Sequence, residues 1–513
     1  MFTLGAGVCF TVSGLFMNNP ASAPDLHAES TPRLKRELSL IGLIATAVAA
    51  MVGVGVNILP FMVQRSQPGI GAWVPMAYVV AAVPAILAAL CYAALISAMP
   101  RAGGSYVNIS RALNPFAGFI ASFSQWFGLS MAMGVVAYFL VPVLRDLMLA
   151  VGWAHAAVAL DIRGPRIAIS ILAIWLAWLM NLVGIRFYER SVVTLAAITI
   201  VGPIIMTIAG ALHTPQSVIS TTAVVTSDWP RFTVSAFLGT AVVLFSSFIG
   251  FDAVSQAAGE ARRAMDLAHA IVIAIACVTV YYVCFTWSVY HAVPWQQIYG
   301  EVKIHDVSAP GLLAPYLPGW LGVAILGSVV VAILKVLPAL MLGNSRTLYA
   351  FSRDKVLPAT FARVHSRFRT PHVSLAVTAV AGSLCVLGCN WAGDFFLGVD
   401  LLVLSMLVNF LLMAGALLSF PHTNPELYRQ MIFLKSRRAQ VLLAGAAIVC
   451  LGGLLVVQVV EDLHSASPWY LKSTTSWTVA MLGGCWLFYR FWTRLRSEGR
   501  DPRSEVFGEL PQE

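Results

Sequence analysis

The stretch Met51-Val52-Gly53-Val54-Gly55-Val56-Asn57-Ile58-Leu59-Pro60 lies in the middle of an apolar run from Leu38 to Val63. That run is long enough to cross a bilayer. Two glycines and an asparagine at its centre work against a continuous helix, since glycine costs about 1 kcal/mol relative to alanine in a helix interior. Backbone freed by unwinding cannot face lipid, so it must be buried in protein or line a cavity. A packing notch, where small residues let two continuous helices approach closely, is the simpler reading of one such stretch. The other reading is an interrupted span of the kind that holds substrate near the bilayer midplane in many secondary transporters.

Working outward, apolar runs of about 20 residues recur along the whole chain, which has 513 residues, 59% of them hydrophobic and 11% charged. The spans read from the sequence are 38–63, 72–98, 115–144, 166–186, 192–212, 233–258, 267–292, 320–349, 372–391, 395–419, 440–460 and 474–493. The expected fold is an all-α membrane protein of twelve helices, and the lengths do not suit an outer-membrane barrel. Residues 1–18 lack a basic leading segment and a clear cleavage site, which argues against a signal peptide. Residues 1–37 read as a cytoplasmic tail, and 494–513 as a second one.

The net charge of +9 describes topology rather than a nucleic-acid partner. With the N-terminus inside, 24 Lys and Arg residues fall in cytoplasmic segments and 7 on the opposite side, with Lys335 inside a span. That asymmetry places both termini in the cytoplasm, and the expected location is the bacterial inner (plasma) membrane. Most of the eight cysteines lie within spans and read as buried thiols. Cys385 and Cys389 share a helical face without the further ligands a metal set requires. No metal and no cofactor is implied, and the phosphate-loop signature of ATP-driven transport is absent.

Five spans after the first interruption comes a second, Phe245-Ser246-Ser247-Phe248-Ile249-Gly250-Phe251-Asp252. An odd offset means that the two spans cross the membrane in opposite directions. Paired interruptions in oppositely oriented halves point to an inverted-repeat transporter. The expected halves are 38–212 and 233–419, five helices each, followed by helices 11 and 12 over 440–493.

On this reading the chain resembles the amino acid–polyamine–organocation superfamily of permeases, which share the five-plus-five fold of the leucine transporter. The resemblance rests on Met99-Pro100-Arg101-Ala102-Gly103-Gly104-Ser105-Tyr106, on Asn114-Pro115-Phe116-Ala117-Gly118-Phe119, and on the segment from Asn344 to Pro358 with Thr370-Pro371 after it. Ser247 to Asp252 is similar to the superfamily's span 6 signature. Two departures stand out: Gly53-Val54-Gly55-Val56-Asn57 where the family reads G-S-G-I-F, and Glu260-Ala261-Arg262-Arg263-Ala264 where it reads E-x-K-N-P.

The chemistry at the breaks follows from helix ends. Unpaired N–H groups at the start of the outer half of span 1 suit a carboxylate, and free carbonyls at the ends of the opposing half-helices suit an ammonium. A zwitterionic amino acid or related amine fits such a crossing. The expected substrate-binding residues are Met51, Gly53, Val54, Gly55, Val56 and Asn57 with Ser247, Phe248, Gly250, Phe251 and Asp252. Phe248 and Phe251 read as lid, wall or simple packing, and Asp252 as a helix cap or as an anion facing substrate or proton. Lys335 and Asp400, with Asp252, are the expected coupling residues, because ionisable groups deep in a membrane default to function. In sodium-coupled relatives of this fold spans 1 and 8 hold a sodium ion. The resemblance therefore implies that the Lys335 ammonium replaces it and that transport is sodium-independent, proton-coupled or exchanging. A permease-like sensor that has lost transport is the competing expectation, and a membrane-embedded enzyme a more distant one. The expected partners are a small-molecule substrate and the lipid bilayer.

Overall fold

The structure is a computed structural model that describes residues 39–101, 103–183, 201–212, 229–256, 261–368, 370–499 and 501. The expected tail at 1–37, the first part of the span expected at 192–212, the end of the span expected at 233–258, Glu260 and residues 502–513 lie outside those residues.

Among the described residues all regular elements are helical. In chain order they are α1 Leu40–Met51, α2 Val54–Ser66, α3 Val74–Ala98, α4 Gly104–Ala112, α5 Pro115–Ala150, α6 Ala154–Leu160, α7 Arg163–Val183, α8 Val201–Leu212, α9 Val234–Phe245, α10 Ala253–Gln256, α11 Ala264–Ala292, α12 Trp295–Val302, α13 Ala309–Leu313, α14 Gly319–Arg353, α15 His372–Ala392, α16 Phe396–Thr423, α17 Pro425–Arg429, α18 Arg437–His464 and α19 Ser473–Ser497. Among the described residues nine helical segments are long and apolar enough to cross a membrane. They are the interrupted segment Leu40–Ser66, the segment Gly71–Ala98 that contains α3, and α5, α7, α11, α14, α15, α16 and α18. α8 and the segment Val234–Phe248 are shorter apolar helices. This is a polytopic helical membrane protein.

Local chemistry sets where several of these helices begin. Asn114 caps α5, its side chain accepting from the Ala117 N–H at 2.8 Å, with Pro115 at the first helical position, where its missing N–H costs nothing. Thr233 caps α9 in the same way, and Ser308 caps α13. α15 ends at Gly393 in the left-handed conformation, the usual stop for a helix.

α5 is the most enclosed of the long helices, whereas α7 and α18 bury little of themselves. The apolar surface of the latter two is left for lipid, as expected of peripheral spans. Small residues bring α5 close to its neighbours: a β-carbon on Gly128 would lie 2.6 Å from the Ser405 β-carbon of α16. α3 and α11 pack against one another, and α3 buries alanines that include Ala77, Ala81, Ala85 and Ala88. Small residues at such interfaces allow close van der Waals contact where lipid supplies no hydrophobic drive.

The two motifs most specific to the superfamily meet at one end of the bundle, the Tyr106 face. Gly103 and Gly104 both take positive φ, which suits glycine, and the turn they make starts α4. The Tyr106 hydroxyl then donates to Asp354, just past α14, at 2.6 Å, and the Tyr92 and Ser105 hydroxyls are 2.6 Å apart. The opposite end, the Arg65 face, carries Arg65, Arg166 and Asp306.

Candidate functional site

The first interruption is short. α1 stops at Met51, and the Val52 N–H still reaches the Val48 carbonyl at 2.8 Å. Gly53, extended, precedes α2 and supplies no side-chain cap, so the first N–H groups of α2 form an uncapped positive helix end. Asn57 does not substitute for a cap. Its Nδ2 folds back to donate to the Gly53 carbonyl at 2.8 Å, while its Oδ1 is buried without a hydrogen-bond partner among the described residues.

In the second interruption α9 tightens into a 3₁₀ turn over Ser246–Phe248 and Ile249 is extended. Gly250 then turns the chain with φ +134°, a conformation side chains disfavour. α10 comes next, with the Ser255 N–H bonded to the Asp252 carbonyl at 2.9 Å.

These two segments cross in contact. A β-carbon on Gly55 would sit 2.9 Å from the Ser247 Oγ and 3.3 Å from its Cα. One on Gly250 would sit 2.9 Å from the Ala50 carbonyl oxygen and 3.1 Å from the Met51 nitrogen. Each break is therefore fitted to the other by a glycine. Tyr282 of α11 joins them: its hydroxyl lies 2.7 Å from the Met51 carbonyl and 2.9 Å from the Ser247 carbonyl and shares its proton between the two. Tyr78 of α3 adds a contact from its hydroxyl to the Ser247 Oγ at 3.2 Å. Neither tyrosine was expected from the sequence, although a polar ring deep in an apolar span was the available signal.

A cavity of about 100 Å³ lies against this crossing, lined on one side by Met51, Gly53, Gly55, Ser246 and Ser247 and on the other by apolar side chains of α5, α14 and α16. The other expected residues surround it at varying distance. Val54 begins α2, and Val56 is fully buried. Phe248 packs against Tyr78 and Tyr282, and Phe251 stacks on Phe410 with Tyr92 at its edge. Both rings thus serve the packing around the crossing. Asp252 is buried and accepts a hydrogen bond from Gln125 of α5. Lys335 is 7% exposed, and its neighbour Val336 comes within 3.6 Å of where a β-carbon on Gly53 would lie, so α14 passes the first break at this level. Asp400 is engaged with Gln458 of α18.

A second, larger cavity of about 580 Å³ opens at the Arg65 face. Phe139 lines the central cavity and Phe395 the larger one, and their ring centroids are 4.3 Å apart. Above this pair Arg65 bonds Asp306 at 2.9 Å and Asp394 at 3.3 Å. Arg166 bonds the other oxygen of Asp306, and its guanidinium lies 3.8 Å from the Tyr138 ring centroid. Burial works against the charge of Asp306. The guanidinium groups of Arg166 and Arg65 outweigh it and hold the carboxyl below the usual carboxylate range.

The amino acid permease family model matches residues 38–485. The chain belongs to the amino acid permease family. It is similar to the branched-chain amino acid permease of Bacillus subtilis (strain 168), 26% identical over 368 residues, which is 68% of this chain and 75% of the relative. The methylthioribose transporter of the same organism is 24% identical over 384 residues, covering 72% and 79%. The low-affinity putrescine importer of Escherichia coli (strain K12) is 24% identical over 375 residues, covering 72% and 75%. The permease is thus an integral membrane transport protein, and the family resemblance read from Met99–Tyr106 and Asn344–Pro358 holds.

This geometry has two measurable consequences. Tyr282→Phe leaves the Met51 and Ser247 carbonyls of the permease without their shared donor, and an unsatisfied buried group costs about 1–3 kcal/mol. Chemical or thermal unfolding of the detergent-purified variant is expected to show a loss of that order; wild-type stability contradicts it. The second consequence concerns acid. Because the folded carboxyl of Asp306 is depressed, its stabilising contribution is complete above the unfolded value of about 3.9 and disappears as pH falls through the lower folded value. Asp306→Asn is expected to lower stability at neutral pH and to flatten this part of the acid limb, measured as melting temperature against pH. An acid limb identical to wild type in shape and height contradicts it.

Proposed function

We propose that the permease is a secondary active transporter that moves an amino acid or related amine by alternating access, with the crossing of the two breaks as its substrate site. In this reading twelve spans form two inverted five-span repeats, 38–212 and 233–419, with two further helices over 440–493. Both termini lie in the cytoplasm, the Arg65 face is external, and the membrane is the inner membrane of a bacterium. The observation that carries the proposal is the mutual fit of Gly55 on Ser247 and Gly250 on Ala50 beside a cavity. Backbone polar groups freed within a membrane are tolerated where they are buried or line a cavity, and here they do both. The N–H end of α2 is suited to a carboxylate. The carbonyls of the opposing ends keep a second lone pair for an ammonium even where Tyr282 occupies the first. The names of the relatives, a branched-chain amino acid permease and a putrescine importer among them, agree with a small amino acid or amine.

Coupling is assigned to Lys335, with Asp252 and Asp400 as further candidates. The place of Lys335 beside the first break supports an ammonium held between spans 1 and 8, in the role a sodium ion has in sodium-coupled members of the fold. Protonated, the amine holds the two spans together; neutral, it lets them part. Transport is then sodium-independent and driven by protons or by exchange. The test is uptake into proteoliposomes at two pH values, with and without sodium, for wild type and Lys335→Met. The expected result is pH-dependent, sodium-independent uptake in wild type and loss of the pH dependence in a folded Lys335→Met. A sodium requirement in wild type, or an unchanged pH dependence in the variant, overturns the assignment.

A further inference from the structure

If substrate sits in the central cavity, as proposed, the lining of that cavity narrows the class of substrate. Its walls divide by chemistry. Backbone and hydroxyl groups of the two breaks make one side. The other is apolar and mostly aliphatic, formed by Ala132, Val136 and Phe139 of α5, Val336 and Leu340 of α14, and Leu402 of α16. Among the described residues that line it there is no Asp, Glu, Lys, Arg or His. The nearest acid in sequence to either break, Asp252, is bonded to Gln125 and does not line the cavity.

We infer that this permease selects a zwitterionic amino acid with a short, uncharged aliphatic side chain and rejects cationic amino acids and diamines. The α-carboxylate and α-ammonium are matched by the helix ends at the crossing. A second ammonium, or a guanidinium, on the side chain would be carried against Val136, Val336 and Leu402, where no anion meets it. A buried charge without a partner is strongly disfavoured, whereas an aliphatic side chain gains by leaving water. Size acts in the same direction, since Leu129 and Leu402 line the cavity and a bulkier side chain must displace them.

The test is ligand-induced thermal stabilisation of the purified full chain, because a ligand that binds the folded state raises its apparent stability by mass action. The probes are L-valine, L-leucine, L-isoleucine, L-phenylalanine, L-lysine, L-arginine and putrescine. The aliphatic three are expected to bind at least ten-fold more tightly than lysine, arginine or putrescine. In Leu402→Ala the added space is expected to improve phenylalanine relative to valine several-fold. In Ala132→Leu the lost space is expected to weaken leucine more than valine. Lysine or putrescine binding as tightly as leucine overturns the inference while leaving the site in place. A folded protein stabilised by no member of the panel overturns both the inference and the substrate site beneath it. Unchanged size preference in a folded Leu402→Ala overturns the assignment of the aliphatic wall to the substrate side chain.

Discussion

Two stretches of backbone are unwound inside a membrane protein, and each must find partners that lipid cannot supply. That constraint organises the molecule. The Tyr282 hydroxyl, placed between the Met51 and Ser247 carbonyls, meets it for both breaks at once and joins the two segments where they cross. Gly55 and Gly250 are the steric side of the same arrangement, each yielding the space the other segment occupies. Around this point the packing is aromatic, with Tyr78, Phe248 and Tyr282 in mutual contact. The long helices α3, α5 and α11 hold the joint in place.

The crossing also divides the electrostatics of the permease. At the central cavity the charges are partial and belong to helix ends, and among the described residues that line it there is no charged side chain. At the Arg65 face full charges meet: two guanidinium groups converge on Asp306, and a third, that of Arg145, donates to its backbone carbonyl at 2.9 Å. These contacts tie α2, α5 and α7 to the loop before α13, and Arg65 extends them to Asp394 between α15 and α16. Helices from both halves of the chain are thereby joined above the Phe139–Phe395 ring pair.

Much of this was legible in the sequence, for identifiable reasons. Apolar runs and their basic flanks mark spans because the bilayer leaves few alternatives. Gly53–Gly55 and Gly250 mark breaks because each stands with polar residues, Asn57 in the first case and Ser246, Ser247 and Asp252 in the second, inside an otherwise apolar run. The structure keeps Met51, Gly53, Gly55 and Ser247 at the cavity. It sends Phe248 and Phe251 into packing and engages Asp252 with Gln125 and Asp400 with Gln458. Those outcomes depend on which helix lies opposite, and periodicity within one span carries no such information. The same limit hid Tyr282 and Gln125, each a polar side chain in an apolar span whose meaning depends on a partner more than a hundred positions away. The aliphatic wall was hidden for the opposite reason, since Ala132, Val136 and Leu402 look like any other membrane residues until three helices bring them together.

On this account the crossing of the two breaks carries a solute through the membrane rather than merely binding or sensing it. Counterflow tests this most directly. Proteoliposomes containing the purified permease are loaded with unlabelled L-leucine and diluted into a trace of labelled L-leucine. The expected result is a transient accumulation of label above its equilibrium level, abolished when the unlabelled pool is omitted. Label that never rises above that in protein-free liposomes, with folded protein shown to be present in the membrane, would contradict it.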